Sequence, residues 1–172
     1  MMAGSRGRRG ARGCSPSDVD AALNGLLAVS SADEARTLPG LVAAAARMRE
    51  RPLSIEFDED LPAGVFGWWL AKADDDVIVV PPGLPSQAHT IAHELGHVLL
   101  GHRGGSDLTE LLGSDRPSAE VVNFMLCRES DQGAVAEEAA AEMFARRLLS
   151  RLRRTQRVAD PRSAILLSDF LR

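Results

Sequence analysis

The run Thr90-Ile91-Ala92-His93-Glu94-Leu95-Gly96-His97-Val98-Leu99-Leu100 constrains this chain more than any other stretch. Two histidines four residues apart, framed by apolar residues, belong one turn apart on one face of a helix, where two imidazoles grip a single metal ion. Glu94 sits one position round from His93, so its carboxylate reaches a water at that metal without being a ligand. Ile91, Leu95, Val98 and Leu99 form the apolar flank that such a helix buries. Two histidines and a glutamate packed there for no chemical reason would be costly, because buried polar groups need partners.

Two histidines do not complete a catalytic zinc site, which takes three protein ligands and leaves a fourth position to water. His102 follows His97 by five residues. The extended pattern H-E-x-x-H-x-x-G-x-x-H would need Gly at 100 and His at 103, where Leu100 and Arg103 stand, so that class is excluded. His89, one turn before His93, reads as a helix-start residue or a substrate contact. Either His89 or His102 is a candidate donor to a developing oxyanion. The better third ligand is a carboxylate from a second helix over residues 134–149, with Glu137, Glu138 and Glu142 as candidates. Glu138 and Glu142 share a face, so one can bind the metal while the other orients a ligating histidine through its free ring N–H. His and Glu donors make zinc the default ion.

The remaining chain reads as one globular domain that holds this site. Its 172 residues are 45% apolar and 26% charged, enough for one real core. The net charge of −4 gives no global reason to expect nucleic acid. Cys14 lies in a tail and Cys127 is the other cysteine, so no disulfide framework is expected and a reducing cytoplasm is the default. No apolar run approaches the length of a membrane span. Residues 1–17 are Gly- and Arg-rich and read as a disordered basic tail. Asp18 and Asp20 interrupt where the apolar core of a signal peptide should begin. Residues 18–157 make the domain, with its core at 53–149, and residues 158–172 add a short C-terminal helix.

Within the domain, Ser17 is the expected cap of a helix through Val19, Leu23, Leu26 and Leu27. A second helix over 41–51 is stopped by Pro52. Strands follow at 53–57, 65–70 and 77–80, the last two pairing as an antiparallel hairpin about a solvated turn at Asp74, Asp75 and Asp76. Trp68 and Trp69 point to opposite faces, one to the core and the other exposed or lining the cleft. Ser86 is expected to cap the motif helix and Gly101 to end it. Residues 104–133 are irregular, with a short helix at 121–126, and read as an insertion beside the site. After the helix at 134–149, the run Arg151, Arg153, Arg154 and Arg157 fits a solvated helix end better than a nucleic-acid patch. Asp160-Pro161 breaks it before a last helix at 163–171. The expected fold is α+β and zincin-like: a small antiparallel sheet packed with the motif helix and the second, ligand-bearing helix.

The run T-I-A-H-E-L-G-H-V-L-L-G-H, followed downstream by E-E-A-A-A-E-M-F-A-R-R-L-L, resembles the ImmA/IrrE family of zinc metallopeptidases. Those proteins show an H-E-L-G-H helix and then a helix like E-x-E-A-N-x-F-A-x-x-L-L. Anchoring on Phe144-Ala145 and Leu148-Leu149, the resemblance implies Glu138 as the ligand glutamate. The family's second Glu falls at Ala140 and its Asn or Asp at Glu142. The resemblance covers roughly residues 53–149. It implies a cytoplasmic zinc endopeptidase with Glu94 as general base, His93, His97 and Glu138 as metal ligands, and a narrow protein substrate, often a helix-turn-helix repressor. The alternative is a non-catalytic zinc-binding regulatory or toxin-like module of a two-gene system. The departures at 140 and 142 favour that alternative, and the intact Glu94 opposes it.

Overall fold

The computed structural model describes residues 14–61, 65–102 and 132–159. Residues 1–13, the expected helices at 121–126 and 163–171, Cys127 and nearly all of the 104–133 segment lie outside them. The described chain is α+β, with four α-helices and a three-stranded mixed sheet.

Helix α1 spans Pro16–Val29. Its cap is Ser15, not Ser17: the Ser15 hydroxyl accepts from the Asp18 N–H, and Asp18 reaches back to the Ser15 N–H. This capping box wins because Pro16 suits the first helical position, where a missing N–H costs nothing. A short 3-10 turn at Glu34–Arg36 leads into α2, Leu38–Met48. That helix starts and stops three residues earlier than expected. Thr37 caps it through the Gly40 N–H at 3.1 Å, with Pro39 just inside. It ends before Pro52 because Glu50 takes a left-handed conformation at φ 52°. That turn sends Arg49 and Arg51 toward the sheet.

Strands β1 (Leu53–Phe57), β2 (Trp68–Ala71) and β3 (Asp76–Val80) lie in the order β1-β3-β2. The β2–β3 hairpin is antiparallel as expected, with Trp68 opposite Val79 and Leu70 opposite Val77. The sheet as a whole is not antiparallel, because β1 runs parallel to β3 from Leu53 opposite Asp76 to Phe57 opposite Val80. The cause is a clamp at the strand starts. Asp76 is wholly buried and is not part of a solvated turn. Its carboxylate takes Arg49 Nη1 on one oxygen and Arg51 Nε at 3.0 Å on the other, and its N–H donates to the Pro52 carbonyl at 2.9 Å. Both strands are thereby pinned at the same end, so they must run the same way.

The sheet buries both faces. Ile78 and Val80 join α1, α2 and the later helices in the main core, while Trp68, Leu70, Val77 and Val79 form a second cluster with Leu61 and Val65. Trp68 and Trp69 are thus both buried, and Arg49 stacks 5.8 Å over the Trp69 ring. Strand β2 begins at Trp68 rather than at 65. Gly67 lies so close to the next helix that a Cβ there would stand 2.2 Å from Thr90 Cγ2.

Helix α3, Gln87–Leu100, carries the motif and ends at Gly101 in the left-handed region, φ 68°. Ser86 occupies its cap position, but its side chain makes no capping hydrogen bond. Helix α4 spans Gln132–Ala159, so the basic run after 149 continues one long helix. Helices α3 and α4 meet where Gly96 faces Ala141: a Cβ on Gly96 would sit 3.2 Å from the Ala141 Cα and carbonyl oxygen. This contact, sealed by buried Leu95, Phe144 and Leu148, brings α4's carboxylates to the histidines. No helix among the described residues is long and apolar enough to cross a membrane.

Candidate metal centre

His93 and His97 project from the α3 face that meets α4, as the one-turn spacing requires. Their Nε2 atoms lie 3.0 Å apart. Of the three carboxylates the sequence leaves open, Glu138 alone enters this pair: its Oε2 is 3.1 Å from His93 Nε2 and its Oε1 3.3 Å from His97 Nε2. Glu137 stays out of the group. Glu142, one turn along α4, approaches His93 Nδ1 at 3.8 Å and pairs with His89 Nε2 at 3.2 Å and Arg146 Nε at 2.6 Å. His89 therefore belongs to the rim of the site rather than to the donor set.

One donor atom from each of His93, His97 and Glu138 fits within 4.8 Å of the others. With bonds of about 2.0 Å, the edges of a tetrahedral zinc shell are about 3.3 Å long. Two of those edges, His93 Nε2 to His97 Nε2 at 3.0 Å and His93 Nε2 to Glu138 Oε2 at 3.1 Å, are near that length, and the atoms are imidazole nitrogens and a carboxylate oxygen, the donors zinc takes. The residues present therefore fit a zinc ion.

The electrostatics agree. Burial alone pulls the His93 imidazole down, but the Glu138 hydrogen bond and the Glu94, Glu138 and Glu142 charges outweigh it and leave its pKa raised. The same hydrogen bonds from His93 and His97 hold the Glu138 carboxyl far below the usual carboxylate range. Both shifts express one fact: acceptors crowd around a point that favours positive charge.

Glu94 is partly buried behind this group. Burial raises its pKa, while the His97 and His93 charges and the nearby Trp69 backbone N–H oppose that rise. The carboxylate lies beside the residue that precedes strand β2. The bare Cα of Gly67 makes room for it, since a Cβ would come within 3.3 Å of Glu94 Oε1. Glu94 is not part of the three-residue donor group.

His102 has a role that sequence reasoning missed. Gly101's left-handed turn folds the chain back, and the His102 N–H donates to the His97 carbonyl at 3.1 Å. The His102 ring is buried, with Nδ1 3.0 Å from His97 Nδ1. Two ring nitrogens at that distance share one proton. If His97 turns the lone pair of Nε2 to a metal, its Nδ1 carries the proton and His102 Nδ1 accepts it. His102 then fixes the tautomer and plane of His97, as outer partners of ligating histidines do. It faces His97 rather than the open side, so it is not placed to serve a substrate oxyanion. The clue in the sequence was Gly101, which marks where the chain turns back on the helix. No family model matches this chain, and neither a curated protein nor a solved structure does.

Proposed function

We propose that this chain is a cytoplasmic zinc-dependent endopeptidase of the ImmA/IrrE kind, zincin-like in its two-helix site, that hydrolyses a peptide bond in a specific protein substrate. A partner helix-turn-helix repressor is the substrate class we favour. The observation that carries the reading is the donor group of His93, His97 and Glu138 with Glu94 beside it but outside it. A purely structural zinc site has no use for a carboxylate in that position, which speaks against the non-catalytic alternative.

His93 and His97 from α3 and Glu138 from α4 would hold the zinc, which when bound supplies a water acidified toward neutrality and a Lewis acid for the scissile carbonyl. Glu94 accepts the water's proton as the carbonyl is attacked and passes it to the leaving amine. Its raised pKa suits a group that must take a proton and then give it up. His102 keeps the His97 imidazole in plane, and the Glu142 carboxylate lies 3.8 Å from His93 Nδ1.

The test is a Glu94→Gln variant incubated with a repressor-like protein encoded beside this chain. Cleavage should fall by about 10²–10⁴-fold, the usual worth of a general base. Bound zinc should remain at the parent's stoichiometry. Undiminished cleavage would remove Glu94 from the mechanism.

A further inference from the structure

Away from the donor group, α1, the 3-10 turn and the second half of α4 enclose an open groove of about 850 Å³. Five arginines line it: Arg36 from the turn and Arg146, Arg147, Arg151 and Arg154 from α4, against a single acid, Asp20. Three of the five are engaged. Arg36 pairs with Asp33 at 3.3 Å, Arg146 with Glu142 at 2.6 Å and Arg147 with Asp20. Arg151 and Arg154 are exposed, and no acid among the described residues pairs with either. Arg147, Arg151 and Arg154 stand at i, i+4 and i+7, one stripe of like charge that weakens a helix unless something anionic lies along it.

We infer that this groove is an exosite for an acidic, extended segment of the protein substrate. The inference rests on the peptidase reading and names a property of its substrate. Guanidinium forks match carboxylates in geometry as well as charge. On α4 the three arginines are spaced by about 6 Å and 4.5 Å along the axis. Alternate side chains of an extended peptide recur at about 6.6 Å on one face. Acidic residues at every second position thus match the step from Arg147 to Arg151, and the long, flexible arginine side chains take up the roughly 2 Å difference at the shorter step to Arg154. A phosphodiester strand fits less well: the chain carries a net charge of −4, and Asp20 lies in the groove with Asp33 and Glu142 at its margins. The groove also leads to the site. Arg146 holds Glu142, which reaches His89 on the rim of the donor group. A segment seated on the arginines would thus run toward the scissile position.

The test uses the full-length, zinc-loaded Glu94→Gln protein and a fluorescein-labelled Glu-Ala alternating 12-residue peptide, read by fluorescence anisotropy at low salt. Binding needs no cleavage, so this outcome is independent of the peptidase reading. Saturable binding is expected, weakened about tenfold by Arg151→Ala and again by Arg154→Ala. Arg153→Ala, on the same helix but outside the groove, should change it by less than about twofold. The Gln-Ala peptide should not bind, and added salt should weaken the Glu-Ala complex. A double Lys substitution at 151 and 154 keeps charge but loses the fork, and should fall between parent and double Ala. Circular dichroism of each variant separates lost binding from lost folding. The inference is overturned if no saturation is reached, if Arg153→Ala weakens binding as much as the groove variants, or if a 20-base-pair duplex binds more tightly than the peptide through the same arginines.

Discussion

The described residues hold two clusters of buried or half-buried charge, and they are built on opposite principles. Around Asp76, each carboxylate oxygen has its own arginine donor and the protein satisfies the acid from within. Both carboxylate oxygens take arginine N–H groups, and Arg51 spends its remaining donors on the carbonyls of Lys72, Ala73 and Asp75. Around His93, three potential ligand groups face one point. Two imidazole nitrogens and a carboxylate face one another within 3.0–3.3 Å, and Glu138 remains half exposed. The first cluster is closed and sets strand direction. The second is a group that could hold a metal ion, which is what separates a candidate metal centre from a structural ion pair.

The largest expected effect breaks the closed cluster. Asp76→Ala leaves Arg49 and Arg51 against the sheet with no carboxylate, and should cost about 3–5 kcal/mol of stability in urea unfolding. Zinc affinity of the folded fraction should not change. Next comes the open cluster. Zinc at about a hundred times its dissociation constant should stabilise the parent by about 2.7 kcal/mol. Glu138→Ala should lose most of that shift while its metal-free unfolding stays close to the parent's. If Asp76→Ala abolished zinc binding, or Glu138→Ala unfolded the metal-free protein, the distinction between the clusters would fail.

The same contrast explains what the sequence could and could not reveal. Helix α3 was legible because its apolar flank and its two histidines obey one period, and the β2–β3 hairpin because a run of Asp separates two apolar strands. Asp76 was not: three consecutive aspartates read alike, and only the approach of Arg49 and Arg51 after the turn at Glu50 singles one out for burial. The parallel pairing of β1 was lost with it. Glu138 was legible from spacing only as one of three, because the choice depends on how α4 slides along α3. The contact of Gly96 with Ala141 decides that slide, and it is a property of two helices together. His102 lay beyond the helix end, where a period no longer says which way a side chain points.

A smaller effect sharpens the open cluster from behind. His102→Phe keeps the buried ring but removes the acceptor for His97 Nδ1, and should weaken zinc by about 10–100-fold in a chelator competition. His102→Asn can present an oxygen near the same point and should recover much of that loss. Parent-like zinc affinity in His102→Phe, with weakening in His102→Asn, would make His102 a packing residue only. Recovery by Asn would show that the hydrogen bond matters.

The smallest expected effect belongs to a third arrangement, an ion pair at the surface. Arg47 holds the Glu34 carboxyl down to about 2 from an ordinary 4.5, with help from the Ser31 N–H and hydroxyl. A carboxyl depressed in the folded state stabilises it at pH values above the ordinary 4.5, and that contribution disappears as pH falls toward 2. Parent and Glu34→Gln should therefore differ by a constant small amount above about pH 5 and converge by about pH 2. Solvent and salt screen the pair, so raising the ionic strength should shrink the gap at neutral pH. The Asp76 cluster should resist that salt, because its carboxylate has no contact with water. A salt titration of Asp76→Ala and Glu34→Gln side by side thus ranks the two by burial. Equal salt sensitivity would mean that the Asp76 clamp is hydrated in solution, and its role in setting the direction of β1 would have to be reassigned to the strand hydrogen bonds themselves.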